Sequence, residues 1–162
     1  MNEKILLYNL PKDLKYILTA FLVCMSLGIA TGLIYVYITT NMNTDGITER
    51  FNGSEIIENE IPENFPKPIE NMILTTHDHL LTFSLISLSL ILIFYCSSTI
   101  KGKLKRIIMI EPFIGTIIMF SSMWLMRYVS SNFSYIVVLS SLITYSIWYL
   151  MIIISLYELN KK

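Results

Sequence analysis

Charge is what this 162-residue sequence lacks most: Asp, Glu, Lys and Arg together make up 15% of it, against about 25% in a soluble domain. The charges also cancel, twelve basic against twelve acidic. A nucleic-acid binder needs a basic surplus, and a disordered chain needs low hydrophobicity with high net charge. Neither description fits. Cysteine is scarce too. Cys24 and Cys96 form no C-x-x-C pattern, which excludes a disulfide scaffold and a cysteine-based zinc site. There is no phosphate-binding glycine-rich loop, no H-E-x-x-H and no Ser/His/Asp set in plausible register. Nothing here points to an enzyme.

Apolar residues are abundant instead: 54% of the chain is hydrophobic and the mean hydropathy is +0.59. A membrane-spanning helix needs about 20 mainly apolar residues. Four stretches meet that length, near residues 16–39, 79–99, 107–128 and 133–157. The third can start at Ile107 or at Pro112. The first is longer than the apolar core of a signal peptide, about 7–15 residues. No small-x-small site follows it, and Val23 is too bulky to precede a lipoprotein cysteine at Cys24. We read it as an uncleaved span. The sequence thus predicts an all-α membrane protein, one domain over 1–162, with four transmembrane helices in an antiparallel bundle.

Lys and Arg favour cytoplasmic loops. Nine of them fall on one side: Lys4, Lys12, Lys15, Lys101, Lys103, Lys105, Arg106, Lys161 and Lys162. Three fall on the other: Arg50, Lys67 and Arg127. Both termini and the basic loop 100–106 are therefore expected inside, and residues 40–78 outside. Reporter fusions after Lys105 and after Lys162 should report cytoplasm, and fusions near Asn59 the exterior. A cytoplasmic signal at Asn59 would overturn this topology.

The outer loop carries Asp45, Glu49, Glu55, Glu58, Glu60, Glu63 and Glu70. It is too short for an independent core. Ile47, Phe51, Ile56, Ile57 and Phe65 are expected to pack it onto the bundle or onto a partner, and Asn43 to Gly46 reads as a turn. The acidic bias either keeps the loop in water or docks a soluble basic partner.

Both histidines, His77 and His79, lie in one stretch, Thr75-Thr76-His77-Asp78-His79. Thr75 and Asp78 have capping-box spacing, so the second helix is expected to start near Thr76, with both histidines in its first turn. The positive helix end there favours a neutral imidazole, the form that ligates a metal or haem iron. Residues two apart point about 200° apart, so only one faces the core, and His79 is the deeper. A haem b held between helices needs axial ligation. His79 offers one ligand; the other would come from His77 of a second copy, from a partner subunit, or from Met119, Met123 or Met126, with Arg127 a partner for the propionates. A quinone or proton site and a plain interfacial helix start are the other readings of this pair.

Glu111 precedes Pro112. Either Pro112 opens the third span and Glu111 pairs with Lys105 or Arg106 at the inner surface, or Glu111 handles protons within the span. Gly28 and Gly32 form a G-x-x-x-G motif, which lets helix backbones approach closely in lipid, within the chain or between copies. In this register no charge falls at mid-membrane, which weighs against a transporter.

Residues 45–53 (DGITERFNG), 76–79 (THDH) and 121–128 (SSMWLMRY) resemble small four-helix bacterial inner-membrane proteins associated with respiratory cytochromes. The resemblance implies a multi-pass protein of the bacterial inner membrane and an outer-surface site at His77, His79, Trp124 and Arg127. The leading expectation is a non-catalytic subunit or scaffold of a respiratory assembly. Its contacts would be lipid and either other membrane subunits or copies of itself. A haem- or quinone-binding electron carrier and a small transporter are the alternatives.

Overall fold

The computed structural model describes residues 5–54 and 62–161. Glu55, Glu58, Glu60 and Asn59 lie outside the described residues. Among those described there are only helices, turns and coil. Five helices follow in order: α1 Lys12–Thr40, α2 Thr44–Asn52, α3 Ile69–Tyr95, α4 Gly102–Tyr128 and α5 Ser134–Leu159. Four of them are long and apolar enough to cross a membrane. A 27-residue helix is about 40 Å long, more than the hydrocarbon thickness of about 30 Å. The ends of α1, α3, α4 and α5 therefore stand clear of the apolar layer.

Helices α1, α3 and α4 start earlier than their apolar stretches suggest. At α3 the N-cap is Pro68, with φ −66° and extended ψ, and Glu70 sits in the first turn. Proline fixes a helix-compatible φ and glutamate complements the dipole. Thr75 and Asp78 are thus interior to the helix, and Thr76 bonds back to the Met72 carbonyl at 2.8 Å. They form no capping box. The helix α4 runs through Pro112 without ending, so residues 103–110 belong to it and do not lie along an interface. Proline removes the bond to the carbonyl four residues earlier, and lipid-embedded helices tolerate this where neighbours re-satisfy the backbone. Thr116 Oγ1 donates to the Pro112 carbonyl at 2.6 Å.

Part of the expected outer loop is helical. The Asn43 side chain caps α2 by accepting from the Gly46 amide at 2.7 Å, so the Asn43–Gly46 signal starts a helix. Asn41 and Met42 take left-handed φ of 49° and 52°, which folds α2 back over the bundle end. Ile47 is buried there, and Phe51 packs against the core. Asn52 Nδ2 donates to the Met126 carbonyl at 3.2 Å, and Thr48 Oγ1 to Met126 Sδ at 3.9 Å. Lys67 sits with its ammonium 4.2 Å from the Phe51 ring centroid. Burial, with the Arg50 charge nearby, holds its pKa below the ordinary lysine value.

The opposite end holds both chain termini. Its α3–α4 turn wraps around one carboxylate, Glu158 near the end of α5. Glu158 is 1% exposed. It accepts from Ser97 Oγ (2.7 Å), the Ser98 amide (2.8 Å) and Ser98 Oγ (3.3 Å). It also accepts from the Thr99 amide (2.6 Å) and Thr99 Oγ1 (2.5 Å). Lys105 Nζ donates to the Tyr95 carbonyl of the same turn at 2.8 Å, and the Leu7 amide to the Cys96 carbonyl at 3.1 Å. The turn's donors are thus spent on Glu158, and α3 stops at Tyr95, short of the Thr99 that hydropathy suggests.

Helices α3, α4 and α5 form the tight part of the bundle, and α1 packs on α5 and α2 rather than on α3. The core runs through Phe83, Leu90, Met119, Phe120, Met123, Trp148 and Met151. Only Leu22, Ile29 and Thr40 of α1 are buried. Tyr149 Oη donates to the Ser26 carbonyl across the α1–α5 contact at 3.2 Å.

Candidate functional site

Because α1 leans on α5 and stands off α3, a groove of about 570 Å³ lies between them. One wall is a stripe of α1: Phe21, Cys24, Met25, Gly28, Ile29 and Gly32. That spacing is one face of a helix. The facing wall is Asp78, His79, Thr82, Phe83 and Ile86 of α3, and Tyr145 and Trp148 of α5 form the floor. The volume lies within the range of small-molecule pockets, about 300–1,000 Å³. The mouth opens sideways, between α1 and α3.

His79 stands three residues before Thr82, the midpoint of α3, which is about 4.5 Å along the axis. It is in the third turn of the helix. The first-turn position expected from the capping box, and the dipole effect that went with it, do not hold, because Pro68 starts α3 seven residues before Thr75. Another contact sets the imidazole. His79 Nδ1 lies 2.8 Å from the Thr75 carbonyl. A carbonyl only accepts, so Nδ1 carries the hydrogen, and in the neutral ring Nε2 presents a lone pair. Among the described residues Nε2 has no hydrogen-bond partner. The ring is held by aromatic neighbours, with centroids 5.7 Å from Phe83 and 5.6 Å from Phe120. Phe83 in turn meets Trp148 edge-on at 4.9 Å, and Trp148 Nε1 donates to Ser87 Oγ at 3.1 Å. The imidazole is therefore fixed by its own helix and braced by α4, with α5 behind Phe83. Asp78 adds a second acceptor at the mouth.

The other expected site residues stand apart from His79. His77 is exposed and lines neither this groove nor a second one between α3 and α4. Trp124 lines that second groove, of about 420 Å³, with Thr76, Leu80 and Phe120. Its Nε1 donates to Thr76 Oγ1 at 2.8 Å, and its ring stacks on Tyr128 at 5.6 Å. Met123 is 4% exposed, inside the core. Arg127 Nε reaches the Lys67 carbonyl at 3.4 Å, at the α2 end of the bundle. Among the described residues no three His, Cys, Asp or Glu side chains cluster as metal ligands.

For Gly28 and Gly32 the close approach expected within the chain is not met, and that between copies is untouched by a single chain: among the described residues a Cβ at either would meet nothing within 4 Å. Their absent side chains leave the groove open. Glu111 does not pair with Lys105 or Arg106. It points between α4 and α5, where Oε1 accepts from Thr144 Oγ1 at 3.1 Å and Oε2 is buried with no partner among the described residues. It lies four residues, about 6 Å, from Gly115 at the midpoint of α4. Gly115 makes the room, since a Cβ there would come within 2.5 Å of Glu111 Oε1. A carboxyl thus does sit near the middle of a membrane-length helix, and so does Asp78, four residues from the midpoint of α3.

Sequence reasoning missed Asp78 and Tyr145 as groove residues, and Glu158 altogether. The Pro68-Ile69-Glu70 start signal would have shifted α3 and brought Asp78 and His79 to their true depth.

A model of a transmembrane helical domain, Aq_1264_TM, matches residues 41–162. No curated protein and no solved structure matches the chain. The match spans α2 to α5 and leaves out α1, the helix that stands off α3. With its four membrane-length helices, this chain is a multi-pass membrane protein and belongs to the Aq_1264_TM family of transmembrane helical domains.

Proposed function

We propose that this protein is a membrane subunit that binds a lipid-soluble hydroquinone in the groove between α1 and α3. One observation carries the reading: His79 Nδ1 donates to the Thr75 carbonyl, which in the uncharged tautomer leaves Nε2 as an acceptor on a residue that lines the aromatic groove. The Asp78 carboxylate is an acceptor as well. The complementary ligand donates hydrogen bonds, is flat enough to lie among Phe83, Tyr145 and Trp148, and dissolves in the bilayer. A hydroquinone has two O–H donors on an apolar ring. Electron transfer itself is left to a partner, in keeping with a subunit of a larger, respiratory membrane assembly.

A scaffold role without a ligand is the second reading. It is favoured by α1, where Gly28 and Gly32 face open space among the described residues and most apolar side chains are exposed.

Tetramethylhydroquinone binding to the reconstituted protein separates the two. The parent is expected to bind. His79→Ala should weaken binding about 10–100-fold, the worth of one hydrogen bond to a well-placed partner. His77→Ala should leave it unchanged. A parent that binds no hydroquinone, or that prefers tetraphenylphosphonium, defeats the proposal. The second result would make the groove a cation site centred on Asp78.

A further inference from the structure

We propose that Gly28 and Gly32 determine specificity by forming a slot for the hydrocarbon tail of the hydroquinone. This rests on the hydroquinone reading of the groove. The slot follows from three facts. Both glycines line the groove. Both face open space where a side chain would begin. The polar groups are gathered toward one end. The helices α1 and α3 run antiparallel, so Asp78, His79 and Gly32 lie toward the α2 end, and Phe21, Cys24 and Ile86 toward the end with the termini. From Gly32 to Phe21 is eleven residues, about 16 Å of helix.

The groove is therefore amphipathic along its length. A ring bonded to His79 has an apolar path along the α1 stripe past Gly28 toward Cys24 and Phe21. A Cβ at Gly28 would enter that path with no other atom within 4 Å among the described residues. The G-x-x-x-G motif acts here through the volume it leaves empty. Coming from lipid, the tail gains by packing along the slot, and a side chain that fills the slot takes that contact away.

The test compares two ligands on the full chain in nanodiscs: tetramethylhydroquinone, which has no tail, and a decyl-substituted hydroquinone. The parent should prefer the decyl compound after correction for partition into empty nanodiscs. Gly28→Leu should weaken the decyl compound at least tenfold and leave the tailless one unchanged, while His79→Ala weakens both. Gly28→Ala, the smaller change, should give a smaller loss in the same direction and covers the case in which leucine impairs folding.

If Gly28→Leu leaves decyl binding intact, or weakens both ligands equally, the tail does not run along α1 and the inference fails while the hydroquinone reading stands. If the parent binds neither ligand, both fail. If Gly28→Leu instead changes the number of copies per particle by native mass spectrometry, the glycines form a contact between chains and the inference is wrong.

Discussion

Glu158→Ala should destabilise the protein by about 3–5 kcal/mol, the range for stripping a buried charged group from its partners. The carboxylate takes hydrogen bonds from five donors of residues 97–99. Alanine leaves all five facing each other in a site with almost no access to water. The α3–α4 turn must then open, and with it the seat of the first residues of α4. The melting temperature in detergent should fall by about 10 °C or more. Glu158→Gln should lose less, because its carbonyl still accepts while its amide opposes the remaining donors. A Glu158→Ala protein that melts like the parent would show that Lys105 and the Leu7–Cys96 bond hold the turn by themselves.

Gly46→Ala is expected to be the most damaging small substitution at the other end. The new Cβ would lie 2.1 Å from the Thr40 carbonyl oxygen and 2.7 Å from its carbon. Both are backbone atoms at the end of α1 and cannot rotate aside. Relief requires α2 to lift. The strain costs about 1–3 kcal/mol, and uncovering Ile47 about 1.5–3 kcal/mol more. Limited proteolysis at Arg50 should become fast, and the melting temperature should drop. Thr48→Ala, one residue from the buried Ile47, should change either measure far less. If Gly46→Ala protects Arg50 as well as the parent does, α2 does not depend on this close approach.

The apolar runs make the membrane class, the number of long helices and their antiparallel order legible in the amino-acid sequence. They carry little about helix ends, because an end is set by caps and by the groups that capture the backbone beyond it. Pro68 and Glu70 start α3 among polar residues that hydropathy assigns to a loop. Ser97 and Thr99 end it by turning to Glu158, sixty residues away in sequence. The misplaced start of α3 carries through to the candidate site: moving it by about two turns takes His79 from the first turn to within a turn of the helix midpoint. That His79 rather than His77 lines the groove agrees with its greater depth in the sequence pattern. Its partners are not legible there, because Arg127 and Met123 approach it in sequence pattern but stand in other interfaces. Glu111 shows the same limit. Next to proline and six residues from Lys105, it reads as a helix-start ion pair, and only the packing of α4 on α5 shows that it faces Thr144.

The sideways mouth of the groove has a consequence for how occupancy is governed. A molecule reaching His79 between α1 and α3 travels within the bilayer and is never dissolved in water along the way. The quantity that sets occupancy is then its mole fraction in the membrane. Binding curves plotted against total concentration should shift with the amount of lipid in the sample and coincide when replotted per lipid. The same chain would fill its groove in a membrane rich in the ligand and empty it in a dilute one, with no change in its own structure or affinity.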